Sequence, residues 1–404
     1  MLNLSGNYVL KLNFGPNDIG IDPQNVKEFT IVQDLHKFLP EFHIKLMDSQ
    51  GELTHTTPFG KSMSQVGVQI QPDLDSDVVN TFDFQVYRRM PEGLFGSSTI
   101  YDIRGLLRVD NLFAPCQSRA FISPAAALRA IASDLGIVDV NLSANLEYPL
   151  TIVQPNLSNA QFLDWLEREL VGQDGEGAYS IFVSVRSGKP VLNCLTQTDL
   201  NLGPLRTRLV VNDNQVQIKE LVTGQVQTYL PVLRYSVEDN YMALGAFGMK
   251  QQRSEYFDYD LAQWVTKTYA ATDYTGMTDF FLIDGSDTSA SESLQNNGRS
   301  GDLTGDFSGR IKSSFYSRLS QLSKLWVLTW GLPNACAGDV VKVLFAQGQS
   351  SGELQSYAYG GFWLVERVVH SLTNVHRTKL LLSREGCDTD KGSTLVPTIK
   401  KRVR

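Results

Sequence analysis

The stretch Gly360-Gly361-Phe362-Trp363-Leu364-Val365-Glu366-Arg367-Val368-Val369-His370, continued by Thr378-Lys379-Leu380-Leu381-Leu382-Ser383-Arg384, decides the fold. Aromatic and β-branched residues dominate it and a glycine pair opens it. The apolar positions of the second run are too dense for a freely solvated hairpin, so at least one face must pack. Just upstream, Gly338-Asp339-Val340-Val341-Lys342-Val343-Leu344-Phe345 begins at a turn signal and predicts another strand. Residues 338–384 therefore read as three strands.

A similar pattern stands near the other end of the chain. Asp77-Val78-Val79 corresponds to Asp339-Val340-Val341 (339 minus 77 is 262), and Ile103-Arg104-Gly105-Leu106-Leu107-Arg108 corresponds to Val365 through His370 at the same offset. Ahead of both, Val66, Val68 and Ile70 alternate as Leu328, Trp330 and Leu332 do. Any one strand is a generic object, but three segments in one register point to a duplication. Two similar antiparallel β-domains in one chain are expected.

The 404 residues exceed what one core usually supports, so roughly two to four domains are predicted, with ample apolar content at 42%. The 32 glycines and 10% aromatics suit a turn-rich β protein. A balance of 36 basic against 43 acidic side chains argues against grip on nucleic acid through phosphate contacts, which needs concentrated Lys and Arg. Met1-Leu2-Asn3-Leu4-Ser5-Gly6 lacks the basic end and apolar core of a signal peptide, and no run reaches membrane-spanning length, so folding in a cytoplasm is expected. Cys116, Cys194, Cys336 and Cys387 form no CxxC pair and read as ordinary core or surface thiols.

In chain order, residues 1–115 read as the first β-domain, with alternation at Leu10, Leu12 and Phe14, at Phe42, Ile44 and Leu46, and at Phe82, Phe84 and Val86. Residues 116–203 change character. Ser123-Pro124 starts a helix that Gly136 ends, and Ser158-Asn159-Ala160-Gln161 fits a capping box ahead of the stripe Phe162, Trp165, Leu166 and Leu170. Strands at Ile181–Val185 and Val191–Leu195 complete a small α/β domain, in which Trp165 reads as core rather than as a ligand platform. Residues 204–385 read as the second β-domain, interrupted at about 241–320. Within the interruption Phe257, Leu261, Trp264 and Val265 suggest a helical face over 256–269, and residues 285–309 are polar enough to suggest a mobile loop. Residues 386–404 form a tail ending Lys400-Lys401-Arg402-Val403-Arg404.

No catalytic constellation emerges. Gly348-Gln349-Ser350-Ser351-Gly352 has the letters of a nucleophile elbow, but strand residues rather than a helix follow it. Gly60-Lys61-Ser62 resembles the end of a phosphate loop, yet His55 occupies the place of its first glycine. His36, His43, His55, His370 and His376 show no HExxH and no helical pairing, so no metal site is expected. The acidic run Glu255-Tyr256-Phe257-Asp258-Tyr259-Asp260 reads as a solvated face rather than as paired carboxylates. No cofactor is expected either, and the chain reads as a non-enzyme.

The order β-domain, small α/β domain, interrupted β-domain resembles the central baseplate hub of contractile-tailed phages. The residues that carry the resemblance are Ser158 through Leu170, Gly338-Asp339-Val340-Val341-Lys342-Val343, and the closing run Gly361 through His370 followed by Thr378 through Arg384. The wider family includes the late-control tail proteins of temperate phages and the N-terminal part of type VI secretion spike proteins. The resemblance implies a mainly β fold with an inserted α/β domain and two tube-like antiparallel β-barrel domains. It implies a homotrimer that adapts a sixfold tail tube to a threefold spike, three chains with two tube-like units each giving six. It places the protein in the virion tail baseplate, with a tail tube or tube-initiator protein above and a separate central spike protein below. The tape-measure protein and baseplate wedge are further neighbours, and genomic DNA passes through without specific binding. Two rival readings stand beside it. A host-receptor or carbohydrate-binding module would use exposed aromatics such as Tyr357 and Tyr359, and a cell-wall hydrolase would use the carboxylates of Glu255 to Asp260.

Overall fold

The computed structural model describes residues 9–14, 19–20, 25–48, 65–71, 79–95, 98–114, 118–170, 179–211, 217–219, 225–239, 251–258, 262–270, 289–291, 323–345, 359–373 and 375–384. Outside them lie the look-alike motifs at 60–62 and 348–352, most of 285–309, His55, Asp77, Cys116, Tyr357, Asp260, Cys387 and the basic tail.

The first part of the chain supplies β1 (Val9–Phe14), β2 (Ile19–Gly20), β3 (Val26–Asp34), β4 (Glu41–Asp48), β5 (Gln65–Gln71), β6 (Asn80–Phe95) and β7 (Ser98–Leu107). Side chains alternate across a strand, and the burial follows: Phe42, Ile44 and Leu46 are buried while Glu41, His43 and Lys45 between them are half-buried. The strands lie side by side in the order β2-β1-β5-β6-β7-β4-β3, every neighbouring pair antiparallel. Their core is aromatic, with Phe42 and Phe84 ring centroids 4.8 Å apart and Phe82 stacked on Phe84 at 5.6 Å.

The middle part holds β8 (Arg119–Phe121), α1 (Pro124–Asp134), β9 (Asp139–Leu142), β10 (Ile152–Gln154), α2 (Asn159–Glu169), β11 (Tyr179–Arg186), β12 (Lys189–Thr196) and α3 (Gln197–Asn201). Both expected helices form where their caps put them. Ser123 Oγ accepts from Ala126 N and Pro124 takes the first helical position of α1, while Ser158 and Gln161 close a reciprocal capping box on α2. Trp165 stacks on Phe162 at 5.5 Å and packs against the core, as its place in the helical stripe suggested. The parallel pair β9–β12 gives this part its α/β character.

The last part supplies β13 (Leu205–Val211), β14 (Gln217–Lys219), β15 (Val226–Thr228), β16 (Leu230–Asp239), β17 (Gln251–Asp258), β18 (Gln263–Ala270), β19 (Ser289–Ser291), β20 (Ser323–Trp330), β21 (Val340–Phe345), β22 (Gly361–Leu372) and β23 (His376–Arg384). Six of these close on themselves in the order β22-β21-β13-β16-β20-β23 and back to β22, a barrel around Val327, Val343, Trp363, Val368 and Leu382. β13 runs parallel to β21 and β16; the other pairs are antiparallel. β16 and β20 are partners whose pairing ends at Asp239↔Ser323, so residues 240–322 leave and re-enter at one end of a strand pair.

Two sequence readings need correction. The helical face proposed over 256–269 is instead the antiparallel pair β17–β18, reversed near Ala262, which has a positive φ of 48°. The dense Val265, Thr266, Thr268 and Tyr269 favour the pleat over a helix. The gap-free 262-residue register also fails in detail. Val66, Val68 and Ile70 are buried, but Leu328 and Trp330 fall on the half-buried face of β20, one residue out of phase. Ile103 and Val365 are both buried, yet a bulge between Val365 and Arg367 then shifts β22 by one, so Gly105 and Leu107 match Val368 and His370.

Candidate assembly surface

The bulge at Glu366 divides one edge of β22 between two partners. Residues before it pair with β21, and residues after it pair with β3, from Arg367↔Asp34 to Ser371↔Thr30. The other edge pairs with β23 throughout. One strand thus closes the barrel and joins it to the first sheet, making thirteen strands continuous. At the switch Leu35 N donates to Glu366 O at 2.9 Å, Lys324 Nζ lies 3.3 Å from Glu366 Oε2, and Arg367 Nε donates to Asp34 Oδ2 at 2.6 Å. Asp34 is buried, and its carboxylate is held by that guanidinium and by His36 N, which donates to Oδ1 at 2.9 Å.

The α/β part is pinned to both sides of this joint. Asn80, fully buried in β6, donates through Nδ2 to Pro333 O at 2.6 Å and accepts from Gly188 N at 3.0 Å, so one side chain ties all three parts together. Gln33 Oε1 accepts from Val185 N at 3.2 Å, and Val183 N donates to Phe38 O at 2.8 Å. Arg186 forms an ion pair with buried Asp339, whose Oδ2 accepts from Cys336 N at 2.9 Å. Burial pushes the Asp339 carboxyl up from its ordinary range, against the pull of Arg186 and that backbone donor. Burial likewise pushes the Cys336 thiol up to about 12 and Cys194 well above its ordinary value, which keeps both neutral and unreactive.

Beside the joint sits a pair that sequence spacing concealed. His370 Nδ1 and His376 Nε2 are 3.2 Å apart, six residues apart in sequence but neighbours across the β22–β23 hairpin, where His370 faces Thr378 and Leu372 faces His376. Reading the two runs as one tight hairpin, rather than looking for helical spacing, would have found it. Burial lowers His370 to about 4 and His376 well below the ordinary imidazole value. Two nitrogens do not make a metal site, and among the described residues no group of three or more His, Cys, Asp or Glu is placed to hold an ion.

The outer faces of the two sheets differ in chemistry. On the first, Lys45 pairs with Glu92 at 2.8 Å and His43 and Arg104 flank Asp102 at 3.0 and 3.3 Å, so charges compensate within the chain. On the barrel, β20 presents Trp326, Leu328 and Trp330 half-buried in a row, with Lys379 Nζ 4.1 Å from the Trp326 ring centroid. Tyr359 is no stacking platform: it is half-buried against Phe345 at 6.2 Å and its carbonyl accepts from Trp363 Nε1 at 3.1 Å. Glu255 and Asp258 lie in β17. No helix is long and apolar enough to cross a membrane among the described residues.

No family model matches the sequence, and no curated protein matches it. Solved structures do match the fold. The 43 kDa tail protein of prophage MuSo2 from Shewanella oneidensis is 11% identical, with a TM-score of 0.59 over 95% of this chain and 100% of that one. The tail protein from Neisseria meningitidis MC58 is 12% identical, with a TM-score of 0.57 over 94% of this chain and 97% of that one. At such identities the likeness is one of fold, and it spans nearly the full length of all three chains.

Proposed function

We propose that the protein is a structural hub of a phage tail or related contractile injection machine, a homotrimer that adapts a sixfold tail tube to a threefold central spike. One observation carries this reading: a single chain holds a closed six-strand barrel joined edge to edge, through β3 and β22, to a second sheet whose main strands also number six, β1-β5-β6-β7-β4-β3. Three copies in a closed ring then present six comparable units to a tube and three chains to a spike. Similarity of fold to two tail proteins supports the tail setting. In this role the chain binds tube or tube-initiator protein on one side and a separate spike on the other, and it lines part of a DNA conduit. A formal net charge of −7 suits a conduit that must not retain phosphates. It performs no turnover of its own and works in the tail baseplate.

Light scattering after size exclusion tests the reading. A particle of about three times 45.0 kDa, which co-elutes with tube and spike proteins from the same virion, is the expected result. A monomer at every concentration, with or without those proteins, overturns it.

A further inference from the structure

Residues 331–339, which lead from β20 to β21, are built of turns and reach all three parts of the chain. One side of this loop grips the other two parts. Pro333 O accepts from Asn80 of the first sheet, Cys336 Sγ donates to Val185 O at 3.3 Å, Asp339 pairs with Arg186, and Ala337 lies in a small apolar cluster with Phe182, Leu200 and Leu35. Gly338, at a positive φ of 84°, lies so close to Phe182 that a Cβ there would stand 2.9 Å from its Cζ.

The other side rests on the histidine pair. Leu332 N donates to Thr378 Oγ1 at 2.8 Å, Thr378 Oγ1 is 3.4 Å from His370 Nδ1, and a Cβ on Gly331 would run into the His376 ring. Both rings are buried, at 0% and 2% exposure. Burial disfavours the charged form of each; the Ala335 carbonyl of the loop works against it at His370, and the charge of His370 adds to it at His376. Charged groups on the surrounding elements are engaged elsewhere. Glu366 and Arg367 of β22 are held by Lys324 of β20 and Asp34 of β3, Asp339 of the loop is turned to Arg186, Arg384 at the far end of β23 donates to Gly360 O, and Arg377 and Lys379 lie on the exposed face of β23.

Two ring nitrogens 3.2 Å apart hold one proton between them. One more leaves an imidazolium sealed from water, and a second sets N–H against N–H and charge against charge. The strands beside the rings are fixed in ladders, β22 to β23 and, through Ile31↔His370, to β3, whereas the loop is held by turns. The loop is therefore the wall that gives.

We propose that the His370–His376 pair is an acid latch: neutral, it seats the loop 331–339 and clasps the α/β part to the barrel; protonated, it unseats the loop and leaves the barrel joined to the rest through the β3–β22 ladder. The α/β part stays with the first sheet, whose core it shares. Asp339 is not the sensor. Burial raises its carboxyl, so the closed loop holds that proton better than an open one, and its titration favours closure as the pH falls.

Two buried thiols read the latch: Cys336 belongs to the loop, and Cys194 to the core that the first sheet shares with the α/β part. The full chain is exposed to dithiodipyridine, a disulfide reactive toward thiols in weak acid, with rates taken relative to free glutathione at the same pH and the labelled cysteine located by peptide mass mapping. From about pH 7 to about pH 5 the relative rate at Cys336 is expected to rise at least about tenfold while Cys194 stays protected. In the double variant His370→Gln with His376→Gln, whose amides hydrogen-bond but take up no proton, the rate at Cys336 is expected to stay level. A folded double variant whose Cys336 opens with acid as in wild type overturns the latch. Wild type decides by itself if that variant does not fold: Cys336 and Cys194 opening together, or Cys336 remaining closed down to about pH 4, overturns the proposal.

Discussion

The first sheet and the second barrel use the same number of main strands and reach different solutions to the problem of sheet edges. The barrel closes on itself and seals a separate core around Trp363 and its aliphatic neighbours. The first sheet does not pair β1 with β3 among the described residues, and its aromatic core runs on without a break into the helices of the α/β part, through Leu128, Ile131, Phe162 and Leu166. An open sheet must borrow cover for its inner face, whereas a closed one need not. The α/β part is therefore the missing wall of the first unit, and β22 is the strand that lends the sheet an edge partner.

The sharpest way to break this contrast is to hollow each core. Phe42→Ala should cost about 3–5 kcal/mol and, because its core is shared, should speed hydrogen exchange in α1 and α2 as well as in β3 to β7. Trp363→Ala should cost a similar amount with the loss confined to the barrel strands. Equal spread in both variants would erase the distinction.

Cutting the joint comes next. Arg367→Met leaves the buried Asp34 carboxylate without its guanidinium and should destabilise by about 3 kcal/mol, with exchange rising first along the β3–β22 ladder. Urea unfolding beside the exchange map checks it, and an unchanged ladder would show that backbone pairing alone holds the units together.

Acid should find the same place. The unfolded chain binds a proton on each histidine near pH 6.5, while folded His370 resists until about pH 4 and burial holds folded His376 well below its ordinary value as well. Stability is thus full above about 6.5 and is lost as pH falls toward 4, by about 3 kcal/mol from His370 alone. The urea midpoint followed from pH 7 to 4 should fall more steeply in wild type than in His370→Gln. Parallel curves would mean that the pair does not govern the acid response.

The smallest effect lies farthest from the joint. Ser158→Ala removes a capping box whose helix is already held by the shared core, and should cost about 1 kcal/mol with no change in barrel exchange. Thermal melting measures it.

These contrasts were unequally legible in the sequence. Period-two alternation marked β4 and β6, and cap chemistry marked α1 and α2, because both signals are local. Barrel closure was not legible, since β13 reaches its partners β16 and β21 by parallel pairing that no turn announces. The bulge at Glu366 defeated the constant offset, because one unpaired residue inverts every facing after it. Over 251–270 the spacing of Phe257, Leu261 and Trp264 imitated a helix until the reversal near Ala262 cut it in two. Asn80 gave no signal at all: it reads as a turn residue ahead of a strand, and its two bonds reach 108 and 253 residues along the chain.

Imaging of purified particles viewed end-on tests the central claim most directly. If the open sheet and the closed barrel are neighbouring units of one ring, averaged views should show six similar lobes around a hole, with a strong sixfold component and a weaker threefold one from the difference between the two units. Three lobes without a sixfold component, or a compact particle without a hole, would contradict the account.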